Sequence, residues 1–149
     1  MKRKRNKKEW KKSQRKHKRQ AGKDYINSKG AFVPEKKCVY KNNCNCRFKC
    51  TSVTEEQANS LFSEFWNMTD TEKSNFYDKS TVRETKVRDR RRNRDKESKR
   101  CFSFKYYLPI FSQNVRVCKK FYLNVLCISQ RRISYFHENK KTGITGTPE

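Results

Sequence analysis

Four cysteines lie close together in the first third of the chain, in the pattern C-x5-C-x-C-x3-C from Cys38 through Cys44 and Cys46 to Cys50. Soft thiolate ligands favour Zn²⁺, which takes four ligands in a closed tetrahedron when its role is structural. The Lys and Arg residues nearby favour the thiolate form and offset the negative charge of a four-thiolate site. The spacing therefore predicts a structural zinc centre, with reduced structural cysteines as the alternative.

Spacing alone leaves the fourth ligand open. Cys38 is nearest in sequence, but the five residues between it and Cys44 would have to loop out. Cys118 would close a much longer loop, which does more for a small core. Cys101 and Cys127 look like buried apolar positions and are weaker candidates. The odd total of seven cysteines, with no secretion signal expected from the charged N-terminus, favours thiols over a disulfide framework.

The residues needed for catalysis are scarce. The two histidines are His17 and His137, no cysteine has a recognisable base partner, and the acids do not pair on an apolar frame. The few glycines are dispersed, so no phosphate-binding loop is indicated. We expect neither enzymatic activity nor a small-molecule substrate.

The net charge of +24 is the strongest compositional signal. It favours polyanions, because each phosphate contact releases condensed counterions. No stretch approaches the roughly 18 apolar residues of a membrane span, and the scattered aromatics form no amphipathic anchor, so no membrane partner is expected. DNA is the expected partner and RNA the alternative. The basic runs Lys2–Arg5 and Arg90–Arg94, the latter with Lys99 and Arg100, are typical both of nuclear-import signals and of phosphate-binding segments, with a solubilising charged surface as the alternative. An import signal predicts binding to the import machinery and location in the nucleus.

The charged segments divide the chain. Like charges over residues 1–30 repel one another and leave little to bury, which predicts a disordered basic tail, or one that is helical only when bound. Residues 31–52 form the cysteine-rich segment. Residues 86–100 mix bases and acids without an apolar stripe, so we expect a solvated basic linker there. Residues 139–149 are expected to form a flexible C-terminal tail.

Residues 53–85 are expected to form a helical hairpin. Thr54 begins a capping box with Gln57, in which side chains cover backbone N–H groups that lack helical partners. The run from Thr69 to Glu72 is a second helix N-terminal signal. Apolar residues recur at helical spacing over roughly 55–67, and a second helix is expected to run toward Val82. Core packing is the preferred role of this hairpin. The alternative is a protein-interaction module in which its Phe/Trp helix docks a partner.

Residues 101–138 are expected to hold a β-hairpin and a helix-turn-helix-like pair. Alternation over 102–108 predicts one strand, Ser112–Asn114 supplies turn residues, and a shorter strand returns after them. If the partner is RNA, Phe104 or Tyr106 on the first strand would serve as a stacking platform. The predicted fold class is therefore α+β, a small zinc-stapled domain flanked by a basic tail.

The helix-turn-helix-like pair consists of a short helix over 118–126, a tight turn at Cys127–Ser129 and a helix through Phe136. The second helix of such a motif lies in the major groove, where Arg131 would pair with guanine. An ordinary helical hairpin with a solvated charged face is the alternative. The predicted nucleic-acid-binding residues are Arg90, Arg91, Arg92, Lys119, Lys120, Arg131, Arg132, Ser134 and Tyr135.

Five segments carry a family resemblance: G-K-D-Y-I-N-S-K-G from Gly22, V-P-E-K-K from Val33, C-N-C-R-F-K-C from Cys44, L-F-S-E-F-W from Leu61 and R-V-C-K-K-F-Y-L from Arg116. Over about residues 20–146 the chain resembles the N-terminal region of uncharacterised arthropod proteins associated with DNA transposon-like mobile elements. The resemblance implies a non-catalytic, DNA-targeting role, and a continuation into a nuclease-like region in a longer protein. It also implies the zinc ligands Cys44, Cys46, Cys50 and Cys118.

Overall fold

In a computed structural model, which describes residues 10–41, 44–48, 50–85 and 102–141, the chain forms helices and two small antiparallel sheets. The α+β class predicted from the sequence is confirmed. In chain order the elements are α1 (Lys11–Gln20), β1 (Tyr25–Ile26), β2 (Phe32–Val33), a 3-10 turn (Cys50–Ser52), α2 (Glu55–Asn67), α3 (Asp70–Ser80), β3 (Thr81–Thr85), β4 (Phe102–Ile110), β5 (Gln113–Val117), α4 (Lys119–Leu126) and α5 (Gln130–Lys141).

The predicted capping box at Thr54 is present, and α2 has the predicted bounds. The second N-terminal signal, at Thr69, also forms a capping box, with Glu72. The Thr54 hydroxyl accepts the Gln57 N–H at 3.3 Å, and the Gln57 side chain accepts the Thr54 N–H at 3.0 Å. Helix α3 ends at Ser80, however, and Thr81 is already extended, with a φ of −134°. The expectation of helix toward Val82 is wrong, because the β-branched residues here pair with β4 as the edge strand of a three-stranded sheet.

The predicted β-hairpin is present, but its turn is earlier than expected. Phe111 and Ser112 occupy the left-handed region, with φ of 47° and 58°, and Ile110 pairs with Gln113. Two consecutive left-handed residues suit a two-residue hairpin, since their twist matches that of the strands. Neither residue is Gly or Asn, so the sequence carried no signature of this turn. Asn114, predicted in the turn, lies in β5.

The core lies between α2, the three-stranded sheet and α4. Its fully buried members are Cys50, Val53, Ala58, Phe65, Leu108, Tyr122, Val125, Leu126 and Ile133. Helix α5 is fastened to this core at both ends of its buried face. The Tyr106 hydroxyl donates to Gln130 Oε1 at 2.7 Å, and Thr81 Oγ1 lies 2.7 Å from His137 Nε2. The orientation of α5 is therefore fixed by the sheet.

Residues 10–30 correct the prediction of a disordered tail over 1–30. They form α1, β1 and the turn after β1. The physical reason is docking: the ammonium of Lys73, on α3, donates to the carbonyl of Gln20 at 2.5 Å. The carbonyl of Gly22 also accepts the Lys36 N–H at 2.7 Å. Tertiary contacts at its C-terminal end thus hold a helix that its own composition does not favour.

Two predicted segments fall wholly or partly outside the described residues. The basic linker over 86–100, with Arg90, Arg91 and Arg92, lies outside them, and so does Cys101. Helix α5 continues to Lys141, so the first residues of the tail predicted over 139–149 are helical instead. Within the described part of the chain, no helix is long and apolar enough to cross a membrane.

Candidate metal centre and cationic surface

The sulfur atoms of Cys44, Cys46, Cys50 and Cys118 converge on one point, all within 4.8 Å of one another. The Cys46 and Cys50 sulfurs are 3.3 Å apart, and those of Cys44 and Cys118 are 3.6 Å apart. Sulfurs bound to a common Zn²⁺ at about 2.3 Å in a tetrahedron stand about 3.8 Å from one another. These distances far exceed the roughly 2.05 Å of a disulfide bond. The geometry fits a four-thiolate metal site.

The fold positions each sulfur differently. Cys44 and Cys46 lie in the irregular segment after β2, and Cys50 is buried at the start of the 3-10 turn. Cys118 is the N-cap of α4, between that helix and β5. Tyr40 holds the approach to the cluster, because its hydroxyl donates to the carbonyl of Val53 at 2.8 Å. The loop is thereby pinned to the core on which α4 packs.

Backbone N–H groups point at two of the sulfurs. The Cys118 N–H donates to the Cys50 sulfur at 3.2 Å, and the Phe121 N–H donates to the Cys118 sulfur at 3.4 Å. The positive end of the α4 dipole also faces the Cys118 sulfur. Donors of this kind orient thiolate ligands around a metal and reduce the charge they carry.

The thiols of the cluster differ in acidity. Burial raises the pKa of Cys50, while hydrogen bonding to the Phe48 backbone lowers the pKa of Cys46 to about 7. A hydrogen bond with the side chain of Cys46, together with burial, raises the pKa of Cys44. Four thiolates cannot share so small a volume without a compensating cation. A divalent metal would supply that charge, replacing the protons.

Cys38, the local candidate for the fourth ligand, stands outside the cluster. Burial, followed by the charges of Glu55 and Cys127, raises its pKa, and its sulfur is not among the four that converge. The structure instead brings Cys118 to the other three.

Two arginines beside the cluster were missed by the sequence reasoning. The guanidinium of Arg47 lies 5.3 Å from the centre of the Phe48 ring, and that of Arg116 lies 4.7 Å from it. Both arginines are exposed. The R-F pair inside the cysteine motif was a visible signal, but its partner Arg116 follows only from the fold. This cation–π stacking holds the two guanidinium groups next to the cluster, where their charge would offset the negative charge of thiolates.

The predicted nucleic-acid-binding residues within the described ranges differ in exposure. Lys119 and Lys120 are exposed on the first turn of α4, at the helix end where a cation is unfavourable. Arg131 is exposed on α5, and Tyr135, one turn later, is 65% exposed. Ser134 is half-buried and therefore less exposed than Arg131 and Tyr135. Arg131 and Tyr135 thus present a polar face opposite Ile133, which is fully buried.

Arg132, another of the predicted nucleic-acid-binding residues, lies against an aromatic ring. It is half-buried, and its guanidinium lies 5.8 Å from the centre of the Trp66 ring. The Lys73 ammonium lies 4.9 Å from the same ring, and the Trp66 indole N–H donates to the Leu126 carbonyl at 3.1 Å. Burial, and then the charge of Arg132, lowers the pKa of Lys73. Two cations therefore meet at one indole, with α1, α3 and α5 around it.

The aromatic side chains considered in the sequence analysis differ in exposure. Tyr106 is buried, and the Phe104 ring packs 5.2 Å from that of His137. Tyr106 is therefore not accessible to an RNA base in this conformation, whereas Phe104 is only half-buried. Leu61 and Phe65 of α2 are buried in the core, which counts against a docking face on that helix.

Comparison with protein-family models, with curated proteins and with solved structures found no match for the chain.

Proposed function

We propose that this chain is a nuclear protein that binds duplex DNA through cationic helices and is stapled by a structural zinc ion. The observation that carries the proposal is the exposed face of α5, with Arg131 and Tyr135 outward on a helix locked to the sheet. A net charge of +24 supplies the long-range attraction. The resemblance over about residues 20–146 supports the further proposal of a non-catalytic targeting part of a transposon-derived protein.

Helices α4 and α5 would act as a helix-turn-helix-like pair. They are joined by residues 127–129, where Cys127 adopts a left-handed φ of 50°. In such a pair the second helix enters the major groove and the first crosses the backbone. Arg131 would donate to O6 and N7 of a guanine, and Lys119 and Lys120 would contact phosphates. Tyr135 would lie beside Arg131 as a polar neighbour.

The zinc ion would have a structural role. Four protein thiolates fill its coordination shell and leave no open position for a substrate, so the centre supports no catalysis. Binding there would join the loop containing Cys44 to Cys118 at the start of α4, and would hold Lys119 and Lys120 in place. Correct contact of these lysines with DNA would therefore depend on metal binding.

The DNA proposal is tested by measuring affinity for duplex DNA as a function of salt. We expect a log–log slope of about −5 or steeper, since each phosphate contact contributes about −0.9. Arg131→Gln should relax preference at one base pair, at a cost of about 1–3 kcal/mol on the preferred site. The control Lys120→Gln should weaken binding to all DNA sequences alike. Binding that is flat between low and moderate salt refutes the proposal, and stronger binding to single-stranded RNA favours the RNA alternative.

The zinc proposal is tested by native mass spectrometry. We expect one zinc ion per chain, lost in Cys46→Ser and kept in the control Cys38→Ser, whose sulfur lies outside the cluster. A folded, metal-free wild-type protein after zinc supplementation would rule out the centre.

A further inference from the structure

Helix α1 is an exposed element with one sign of charge. Six of its ten residues are Lys or Arg, and it contains no acid and no buried residue. Like charges four residues apart, such as Lys12 and Lys16, destabilise a helix by about 0.2–0.5 kcal/mol per pair. A helix this short is also marginal in isolation. Its composition therefore opposes the conformation it has, unless an anchor and an anionic partner compensate.

The anchor is at the C-terminal end of α1. Lys73, only 2% exposed, donates to the Gln20 carbonyl at 2.5 Å, where the helix dipole is negative. Gln20 also donates from its side-chain amide to Asp70. Gly22, just beyond the helix, lies so close to Trp66 that an added Cβ would be 2.7 Å from the ring. The rest of α1 projects its charge into solvent.

The anchor also places α1 beside the proposed recognition helix. Trp66 contacts Gly22 at the end of α1, and the guanidinium of Arg132, on α5, lies 5.8 Å from its ring. The end of α1 and the first turn of α5 are thus separated by one indole.

We propose that α1 is a preformed second DNA-binding element, held beside α5 by Lys73 and Trp66, which binds the phosphate backbone next to the α5 site. This inference rests on the proposed function and names a further surface for it. Charge complementarity selects the partner: Lys12, Lys16 and Arg19 recur at helical spacing on exposed positions. A membrane surface would need an apolar face on the helix, and the sequence KKSQRKHKRQ has none.

The experiment compares two variants of the full chain that lose equal charge. The first, Lys12→Gln with Lys16→Gln and Arg19→Gln, neutralises α1 with residues that favour helix. The second, Lys29→Gln with Lys37→Gln and Lys79→Gln, neutralises three other exposed lysines. Circular dichroism checks that both fold, and affinity for duplex DNA is then measured against salt.

In the α1 variant we expect the log–log salt slope of DNA binding to become shallower by up to about 2.7, since each lost phosphate contact removes about 0.9. In the control variant we expect the slope to change by less than about 0.9, the equivalent of one contact. Equal slopes for the two variants would overturn the role of α1 while leaving DNA binding by the wild type intact. A wild type without salt-dependent DNA binding would instead overturn the proposed function itself. Loss of binding to anionic lipid vesicles in the α1 variant, with a control-like DNA slope, would assign α1 to a membrane and overturn the proposal.

Discussion

Two glycines with left-handed backbone provide a matched test of how α1 is anchored. Gly22 has a φ of 71° and Gly30 a φ of 83°. A Cβ at Gly22 would lie 2.7 Å and 2.8 Å from two atoms of the Trp66 ring, whereas one at Gly30 would meet nothing within 4 Å. Replacing either glycine by Ala costs about 1–2 kcal/mol for the left-handed backbone. Gly22→Ala adds a steric cost of about 1–3 kcal/mol.

Trp66 has little freedom to relieve this clash. Its indole N–H donates to the Leu126 carbonyl, and its ring packs edge-on against Phe65 at 5.4 Å. The strain is therefore expected to lift the α1 segment away from α2 and α3, while the rest of the core is preserved. The additional destabilisation by Gly22→Ala, relative to Gly30→Ala, is limited to the free energy with which α1 docks on the core, because α1 can detach to relieve the clash.

Urea unfolding and amide hydrogen exchange measure the two effects separately. We expect Gly22→Ala to unfold at lower urea than Gly30→Ala, and the α1 amides to exchange faster in Gly22→Ala alone. Equal stabilities, together with equal protection of α1 in the two variants, would refute the anchoring argument.

Three further predictions concern the metal and the buried polar groups. Chelation of the proposed zinc should lower the melting temperature, by an amount corresponding to about 4 kcal/mol if free zinc stood at about a thousand times its Kd; an unchanged melting temperature contradicts a stabilising metal. Tyr122→Phe should destabilise the fold by about 1–2 kcal/mol in urea unfolding, because the Tyr122 hydroxyl lies 2.7 Å from Ser80 Oγ in the core. The same change at Tyr77 should be neutral or stabilising, since its buried hydroxyl has no hydrogen-bond partner among the described residues; equal costs at the two tyrosines would show this reasoning to be wrong. Burial, helped by the charges of Lys140 and Arg83, lowers the pKa of His137, so the unfolded chain takes up its proton first as the pH falls. Stability should therefore fall below about pH 6.5 and level off below the folded-state pKa, and His137→Gln, measured by urea unfolding at each pH, should remove this part of the slope; an identical pH dependence in the variant would contradict it.

Short sequence patterns predicted the elements whose formation depends on residues that are close together in the sequence. Helix α2 begins and ends as expected because Thr54 and Gln57 form a capping box and the apolar period follows directly. The predicted second helix ends earlier than expected and β3 follows it, because Thr81 has its ladder partner, Tyr106, on a distant strand. The secondary-structure preferences of a short stretch of sequence carry no information about a partner strand elsewhere in the chain.

Long-range contacts explain the remaining differences. The composition around Lys16 indicates repulsion, and only the buried Lys73 and the Gly22 contact show why a helix forms there. The cysteine motif predicted three converging sulfurs, but the position of Cys118 depends on where β5 ends and α4 begins. Family resemblance implied this fourth residue, whereas spacing had left it open.

The pairing of β3 with β4 has a consequence for how the protein can vary. Thr85 and Phe102 are opposite each other in the ladder, so the two ends of the intervening sequence are held together by the folded sheet. Doubling the length of such a connection costs only about 0.6 kcal/mol. The connecting residues are rich in Lys and Arg. Insertions or deletions between Thr85 and Phe102 could therefore raise or lower the charge of the protein with little effect on its core, which makes this connection a place where electrostatic strength can evolve independently of the fold.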